Sequence, residues 1–352
     1  MSSEFVKFLE INKEKLNDYT LLIVCNTKSS SNRQNNYGEF DLATEYLSDV
    51  EFDQVISLFS QCCLKDIEIF QNEYSFIDYI LRHKNDSCKS KWIVYSSAQS
   101  GTGAGRKSLI PAFCKLENLP CTGSNPYVVS LCRQKYHVNK LLENANLPVP
   151  LTYIYNNGWL FNKKPSFQEE ILLKPIYESA SIGIDSESLK QYTNAIEADI
   201  RTRNLKMRQP IIAQQFIEGY EVEYPVYIAP NDIYPLLPVG LSLSPSEYKM
   251  GRNFLNYETI YFDKYFFYNF GENKNYNNKM KNIVKDAANL LGMSGLCRVD
   301  FRVIDKNHFY ITDVSTNPHF ITHSSIYYAF KNLCLPEKAI AESILLSALQ
   351  GE

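Results

Sequence analysis

The stretch GLCRVDFRVIDKNHFYITDVSTNP (295–318) places two aspartates in strand-like surroundings and decides how the rest of the chain is interpreted. Apolar and polar residues alternate in LCRVDFRVI (296–304), which predicts a β-strand, and HFYITDVS (308–315) has the same pattern. A turn centred on Lys306–Asn307 would join these two strands. The stretch therefore predicts an antiparallel β-hairpin.

The predicted hairpin places Asp300 opposite Asp313 and Arg298 opposite Ser315. All four side chains then point to one face, because side chains alternate along a strand. Two carboxylates about 5 Å apart at Cβ repel each other, so a positive charge must offset them. A divalent cation such as Mg²⁺, which prefers hard oxygen ligands, is one candidate. The alternative is an aspartate pair neutralised by Arg298 and Arg302 without a metal, and the hairpin alone leaves both interpretations open.

Length and composition place the chain among ordinary globular proteins. Its 352 residues are enough for two or three subdomains, with 45% apolar and 21% charged residues. The net charge of −3 gives no reason to expect nucleic acid as a partner. Nine cysteines without a C-x-x-C pair predict free thiols in a reducing cytoplasm rather than a zinc site. We expect no membrane contact, because no signal peptide and no apolar stretch of about 18 residues is recognisable.

The first third of the chain alternates strand and helix patterns, which predicts an α/β unit with a parallel sheet. Predicted strands are DYTLLIVCN (18–26), FDQVISLF (52–59) and KWIVYSS (91–97). Predicted helices are FDLATEYL (40–47) and SFIDYILRH (75–83).

The remainder continues with longer helices and separate strands. A helix is expected in QKYHVNKLLENANL (134–147), followed by strands in EEILLKPI (169–176) and PIIAQQFI (210–217). Another helix is expected near 278–291, before the hairpin. A last helix, in LPEKAIAESILLSALQ (335–350), would close the chain.

Two stretches of this second part contain residues suited to a nucleotide. In LLKPIYESASIGI (172–184), Lys174 ends a buried strand and a Ser/Gly loop follows, whose backbone N–H groups can fold over phosphate oxygens. In IIAQQFIEGYEVE (211–223), backbone groups can hydrogen-bond an adenine edge and Glu221 can hold ribose hydroxyls. Each pattern is also typical of an ordinary surface turn, so neither stretch decides the function alone.

Several segments, taken in order, resemble the D-alanine–D-alanine ligase-like branch of the ATP-grasp superfamily. They are PCTGSN, QKYHVNKLL with LPVP, LLKPIYESASIGI, QQFIEGYEVE, GLCRVDFRV, ITDVSTNPHF and THSS, and they lie between about 90 and 330. The resemblance implies an α/β protein of α+β lobes with the ATP-grasp fold. Residues 1–132 would form an N-terminal Rossmann-like preATP-grasp domain, 133–217 the central lid lobe, and 218–352 the C-terminal lobe with the metal site.

The resemblance also implies an ATP-dependent carboxylate–amine ligase. The γ-phosphate of ATP would pass to a substrate carboxylate, and an amine, with an amino acid as one substrate, would attack the acylphosphate to form an amide. The implied cofactors are ATP and Mg²⁺, with Mn²⁺ as the alternative metal. Small-molecule carboxylates and amines are the implied partners, in specialised metabolism or peptide synthesis, and homodimers are common among such ligases. The alternatives are a catalytically degenerate ATP-binding regulator and an ATP-grasp kinase that does not ligate.

The resemblance assigns roles to individual side chains. Arg298 would stabilise the tetrahedral oxyanion, helped by the backbone N–H around His319. Ser324 would contact the carboxylate of the incoming amino acid. The residues expected to bind ATP are Lys135, Lys174, Glu178, Ser179, Ser181, Gln214, Gln215, Phe216, Ile217 and Glu221.

The expected metal ligands are Asp300 and Asp313, and here the chain departs from its family. The family usually has glutamate at the position of Asp313 and asparagine at the position of Ser315. Serine can ligate Mg²⁺, and Asn317 is the alternative ligand if the loop is rearranged.

Other departures fall where the substrate is selected. A loop serine of the family is replaced by Ala180, and a family glycine is replaced by His319. The family's lysine in a Tyr-x-x-Lys segment is replaced by Ile260, with Lys249 or Lys264 as candidates to take over its part. We therefore do not expect a standard D-alanine–D-alanine ligase.

Overall fold

The computed structural model describes residues 2–30, 37–272 and 274–350, which form three β-sheets with helices packed on them. The first part contains α1 (Ser2–Asn12), β1 (Thr20–Val24), α2 (Asp49–Ser60), β2 (Asp66–Phe70), α3 (Glu73–Arg82), β3 (Trp92–Ser96) and α4 (Leu109–Leu116). Its sheet is parallel, with β1 between β2 and β3. Alternate side chains of β1 enter two different cores, so this apolar strand is buried on both faces.

The middle part forms an antiparallel sheet that two helices precede in the chain. It contains α5 (Pro126–Arg133), α6 (Lys135–Asn144), β4 (Thr152–Tyr155), β5 (Glu170–Pro175), β6 (Leu189–Gln191), α7 (Glu197–Met207) and β7 (Ile211–Gln215). The strand order is β4-β7-β5-β6. Ile171 and Leu173 of β5 pack against Ile200 and Met207 of α7, which buries one face of the sheet. The strands predicted at 169–176 and 210–217 and the helix predicted from 134 are confirmed.

The last part is built on a six-stranded antiparallel sheet. It contains β8 (Tyr220–Ala229), β9 (Asp232–Pro235), β10 (Val239–Ser242), α8 (Tyr257–Tyr261), β11 (Phe266–Asn269), α9 (Lys274–Leu291), β12 (Gly295–Val303), β13 (Phe309–Ser315), α10 (Ser325–Asn332) and α11 (Lys338–Ala348). The order is β11-β10-β8-β12-β13, with β9 beside β8. Helix α9 packs on one face, while α10 and α11 enter the same core as β1. None of the described helices is long and apolar enough to cross a membrane.

The predicted hairpin is confirmed, with one shift in its pairing. Asp300 pairs with Asp313 and Arg298 with Ser315, as the alternation predicts. A bulge follows, so that Phe301 pairs with Ile311 rather than with Thr312. The bulge lies on the turn side of the aspartate pair and leaves that pair facing.

The prediction of a strand at 52–59 is wrong, because this segment lies within helix α2. Ser48 and Glu51 form a capping box, in which each side chain accepts a hydrogen bond from the other's backbone N–H. Phe52, Val55 and Phe59 are buried at helical spacing. The helix predicted at 40–47 is reduced to one short 3₁₀ turn, Leu42–Glu45, and strand β2 was not predicted.

A segment between β1 and α2 connects the first part of the chain to the middle sheet. We call its described residues 37–48 the crossing segment. Its Tyr37, Phe40 and Leu42 are buried in the core formed by β5, β7 and α7. The Tyr257 hydroxyl accepts a hydrogen bond from Asp41 N at 3.0 Å. The crossing segment therefore holds the middle sheet against the first part of the chain.

Candidate active site

Two adjoining cavities lie where the three parts of the chain meet. The first has a volume of about 240 Å³ and is bordered by residues of β5, β7, β12 and β13. The second has a volume of about 410 Å³ and is bordered by the end of β3, the crossing segment and the residues after β13. Ser179, Ala180, Arg298, Ser315 and Asn317 border both cavities, so the two form one continuous cleft.

The first cavity contains every side chain that the resemblance assigns to ATP. Strands β5 and β7 are neighbours, which brings the loop after β5 and the segment after β7 to the same cavity. Helix α6 adds a lysine at its first residue, and β8 adds a carboxylate. The residues brought together are Lys135, Lys174, Glu178, Ser179, Ser181, Gln214, Gln215, Phe216, Ile217 and Glu221.

Two lysines bring positive charge into the first cavity. Lys174 Nζ donates a hydrogen bond to Gln214 Oε1 at 2.9 Å, and burial lowers the pKa of Lys174 to about 8 against the attraction of Asp313. Lys135 Nζ lies 2.9 Å from Asp313 Oδ2. A buried ammonium is stabilised by an anion. Both lysines line the first cavity, where an anion would be stabilised.

The loop after β5, residues 177–183, has a backbone suited to anions. Ala180 and Ser181 have left-handed conformations, with φ of 50° and 53°. Ser181 Oγ donates to Leu255 O at 2.8 Å, and Ile182 N donates to Ser179 O at 3.0 Å. Backbone N–H groups in such successive turns can converge on phosphate oxygens.

Glu178 borders the first cavity, but its carboxylate is held by the protein. Tyr37 Oη and Gln209 Nε2 donate to its Oε1 at 3.1 and 3.0 Å, and Arg106 Nη2 donates to its Oε2 at 3.1 Å. These bonds use both carboxylate oxygens. Glu178 therefore fixes the loop to the rest of the chain, which differs from the direct ATP contact that the resemblance implies.

A second buried carboxylate, Glu45 of the crossing segment, was missed by the sequence analysis. Its Oε1 accepts from Ser179 N at 2.9 Å, and its Oε2 accepts from Arg106 Nη2 at 2.7 Å. Burial opposes the charge of Glu45, but Arg133, Lys107 and Arg106 together hold its pKa well below the usual value. The available signal was the pair Arg106–Lys107 in a loop of small residues, GTGAGRKS, where charged side chains need partners.

Three carboxylates lie in one row across neighbouring strands. Glu223 of β8 pairs with Asp300 of β12, which pairs with Asp313 of β13. Arg298 Nε and Nη2 lie 2.7 and 2.9 Å from the two oxygens of Asp300, and Arg298 Nη1 lies 2.8 Å from Glu223 Oε2. Even so, burial raises the pKa of Asp300 to about 8. At Asp300, burial therefore outweighs the attraction of Arg298.

The alternative interpretation, in which Arg298 and Arg302 neutralise the aspartate pair, is correct for Arg298 only. Arg298 binds Asp300, but Arg302 Nε lies 2.6 Å from Glu221 Oε2 on the neighbouring strand. Burial disfavours ionisation of Asp313, but Lys135 and Lys174 hold its pKa below the usual value. One arginine and two lysines thus compensate part of the charge of the pair.

The donor set fits a Mg²⁺ ion that is shared with a substrate. Mg²⁺ usually takes one or two protein carboxylates and completes its octahedron with phosphate oxygens and water. Asp300 and Asp313 supply that number, and Ser315 and Asn317 add oxygens beside them at the same cavity. Among the described residues no cluster of three His, Cys, Asp or Glu side chains forms a complete protein cage. A cation bound there would offset the burial that disfavours the charged form of Asp300.

Of the two residues expected to contact the substrates, His319 and Ser324, one borders the cleft. His319 borders the second cavity, with an exposed side chain whose Nε2 lies 3.6 Å from Glu51 Oε1. Ser324 lies outside the walls of both cavities among the described residues. Its hydroxyl accepts from Tyr327 N at 3.1 Å and caps α10. The structure thus brings His319, but not Ser324, to the cleft.

Ile260, which replaces a lysine of the family, lies where the two cavities join. Ile260 borders both of them. Lys264 Nζ lies 3.9 Å from Glu258 on an exposed surface, and in the described structure neither Lys249 nor Lys264 borders the cleft. Replacement of the lysine by Lys249 or Lys264 is therefore not supported, because neither ammonium faces the cleft.

Known proteins match this chain over more than half of its length. The family model described as D-ala D-ala ligase C-terminus matches residues 149–345. A D-alanine–D-alanine ligase of Marinomonas sp. is 26% identical over 251 residues, which cover 70% of this chain and 74% of that ligase. A D-alanine–D-alanine ligase B of Clostridium tetani is 30% identical over 244 residues, which cover 63% of this chain and 62% of that ligase.

Solved structures extend the likeness to nearly the whole chain. A D-alanine–D-alanine ligase of Bacillus anthracis complexed with ATP aligns with a TM-score of 0.66 and 13% identity, over 94% of this chain and 97% of that one. The VanG D-Ala:D-Ser ligase of Enterococcus faecalis aligns with a TM-score of 0.66 and 14% identity, over 94% of this chain and 99% of that one. At these identities the likeness shows the fold. The chain therefore has the ATP-grasp fold and belongs to the D-ala D-ala ligase C-terminus family of ligases.

Proposed function

We propose that this protein is an ATP-dependent ligase that joins the carboxylate of one amino acid or small molecule to the amine of another, through an acylphosphate. The observation that carries this proposal is the continuous cleft. A cavity with nucleotide-type residues opens directly into a second cavity at Arg298 and the aspartate pair. The two substrates of a phosphoryl transfer need such a common wall.

ATP occupies the first cavity in this proposal. Lys135 and Lys174 bind phosphate oxygens, and the loop 177–183 covers them with its backbone N–H groups. The segment Gln214–Ile217 frames the adenine, and Glu221 holds the ribose. Support comes from the convergence of these residues on one cavity and from the buried ammonium of Lys174.

Asp300 and Asp313 would hold Mg²⁺, with Ser315 or Asn317 as a further ligand. When bound, Mg²⁺, or Mn²⁺ as its alternative, would supply positive charge beside the phosphates. Arg298 then has to serve both Asp300 and the oxyanion that forms on the acyl carbon, and it lies at the wall shared by the two cavities. His319 and its backbone N–H border the second cavity, where the carboxylate and the amine meet.

We divide the chain into three functional lobes at the boundaries 1–132, 133–217 and 218–352. Each lobe then contains one of the three sheets, and the cleft lies between them. A homodimer is a further expectation from the resemblance, and sedimentation of the purified protein measures it.

The test is ADP release from Mg²⁺-ATP over a panel of D- and L-amino acids, with products identified by mass spectrometry. The proposal expects ADP and an amide in equal amounts from at least one pair. Phosphate transfer without an amide would point to a kinase instead. Tight ATP binding without turnover over the whole panel would point to a nucleotide-binding regulator.

A further inference from the structure

A lysine that the sequence analysis did not single out, Lys107, borders both cavities. It follows Arg106 in the short 3₁₀ turn Arg106–Ser108 that leads into α4. Among the described residues, two cationic side chains border both cavities, Lys107 and Arg298. A phosphoryl group that passes from the first cavity to the second must pass this shared wall. The neutral side chain of Ile260 borders the same junction and adds no charge.

Arg298 and Lys107 differ in the number of protein carboxylates that they already bind. Arg298 donates to Asp300 and also pairs with Glu223, so its guanidinium is engaged on two sides. The ammonium of Lys107 has one carboxylate within 4 Å in the described structure, Glu45 Oε2 at 3.7 Å, beyond hydrogen-bond length. That oxygen is already bonded to Arg106 at 2.7 Å. Lys107 therefore keeps its donors for a ligand.

The surroundings of Lys107 also favour an anion. Its side chain is only 19% exposed, and burial lowers the pKa of Lys107 to about 8. The charged groups around it are Glu45 and Glu178 on the acidic side and Arg133 and Arg106 on the basic side. Buried ammonium groups with so few partners are stabilised when an anion arrives.

We propose that Lys107 is a catalytic residue that binds the phosphoryl group during its transfer from ATP to the substrate carboxylate. This inference rests on the proposed ligase function. In the step, the bond between the γ-phosphorus and the β–γ bridging oxygen breaks, and its electron pair leaves with ADP. A carboxylate oxygen forms the new bond to phosphorus. Lys107 donates hydrogen bonds to non-bridging oxygens of the moving group and keeps its proton throughout.

The experiment compares nucleotides that differ in the γ-phosphate. Calorimetry with Mg²⁺ measures binding of ADP and of adenylyl imidodiphosphate, which carries a non-transferable γ-phosphate, to wild type, Lys107→Gln and Lys107→Arg. Lys107→Gln should weaken binding of the imidodiphosphate roughly ten- to a hundredfold, since charged hydrogen bonds contribute about that much. The affinity for ADP should change by less than about twofold. Lys107→Arg should recover most of the lost affinity for the imidodiphosphate. Lys115→Gln, an exposed lysine of α4, serves as the charge-matched control.

Equal weakening of both nucleotides, or no weakening of either, by Lys107→Gln would overturn the assignment, because a structural role does not distinguish the γ-phosphate. Urea unfolding accompanies each variant, and Lys107→Met replaces Lys107→Gln if the latter does not fold. If wild-type protein binds neither nucleotide, the proposed function itself fails. The two failures are thus distinguishable.

Discussion

At the scale of single residues, the site depends on the row formed by Glu223, Asp300 and Asp313 on adjacent strands. A row of carboxylates that are wholly or partly buried is unfavourable by itself, because burial and mutual repulsion both disfavour the ionised forms. Arg298 and Lys135 offset part of this charge, and Asp300 nevertheless has a raised pKa. In the proposed function, a divalent cation would offset the remaining negative charge.

The first prediction concerns the metal. Asp300→Asn keeps the shape of the side chain and removes one ligand charge, so the apparent affinity for Mg²⁺ should fall roughly a hundredfold. Calorimetry of Mg²⁺-dependent nucleotide binding measures this fall. Asp305→Asn is the control, because Asp305 lies in the exposed hairpin turn beside His308. Unchanged Mg²⁺ dependence in Asp300→Asn would remove Asp300 from the metal site.

The second prediction concerns the buried cluster around Glu45. Glu45→Gln leaves Arg106 and Arg133 with less compensation, and breaking a buried ion pair in this way costs about 3–5 kcal/mol. Urea denaturation at neutral pH should show this loss of unfolding free energy. A loss below about 1 kcal/mol would show that water reaches the cluster.

The same cluster predicts a dependence on pH. The pKa of Glu45 is lower in the folded protein than the unfolded value of about 4.3, so its stabilising effect is present above that value. The effect is lost as the pH falls towards the folded pKa. The stability difference between wild type and Glu45→Gln should therefore shrink below about pH 4, as measured by urea denaturation at several pH values. A difference that stays constant would contradict this linkage.

At the scale of elements, the loop 177–183 depends on a glycine at its end. Gly183 has a φ of 82°, and a Cβ added there would lie 2.4 Å from Pro175 Cγ and 2.8 Å from Met207 Cε. Gly103 has the same φ of 82° with nothing within 4 Å of an added Cβ. The two glycines therefore separate backbone strain from steric clash.

The third prediction uses this pair. Gly103→Ala should lower the free energy of unfolding by about 1 kcal/mol, because alanine disfavours the left-handed backbone. Gly183→Ala should lower it by roughly 1–3 kcal/mol more, because the added Cβ also clashes with its neighbours. Gly183→Ala should also weaken ATP binding, because the loop moves. Urea denaturation and nucleotide calorimetry measure both effects. Equal costs for the two substitutions would show that the loop adjusts without strain.

The crossing segment gives the fourth prediction. Phe40 is 4% exposed and meets Tyr257 edge-on at 5.1 Å, in the core that contains β5 and β7. Phe40→Ala should lower the free energy of unfolding by about 3–5 kcal/mol, because the packing of this ring is lost, and should destabilise the middle sheet. Hydrogen exchange in β5, β7 and the loop 177–183 should then be faster. Tyr74→Ala, at an 82% exposed position, is the control, and equal exchange in both variants would refute the role of the segment.

Local patterns predicted the elements whose spacing is unambiguous. The hairpin follows from the alternation, but its bulge was not predicted. The available signal was the spacing of Ile311 and Val314, which are buried three residues apart instead of two. The spacing of Phe52, Val55 and Phe59 matches a helix, and the Ser48 cap before it was the signal that identifies α2. The apolar content of this segment was misinterpreted as a strand.

At the scale of the whole molecule, the cleft depends on contacts between distant parts of the sequence. The order of the segments was enough to predict the fold and to bring the nucleotide-type residues together. The cluster of Glu45, Arg106 and Glu178 joins three separate regions, and no local period indicates such a contact. Lys107 was missed for the same reason, because its surroundings exist only in the folded chain.

In the proposed reaction, phosphoryl transfer to a carboxylate comes first, and attack of an amine follows in the same cleft. The most direct test supplies the accepted amino acid with ¹⁸O in its carboxylate and analyses the products by mass spectrometry. Transfer through an acylphosphate predicts one ¹⁸O atom in each released phosphate for each amide formed. Amide formation with no ¹⁸O in the phosphate, or with ¹⁸O in AMP, would contradict the account.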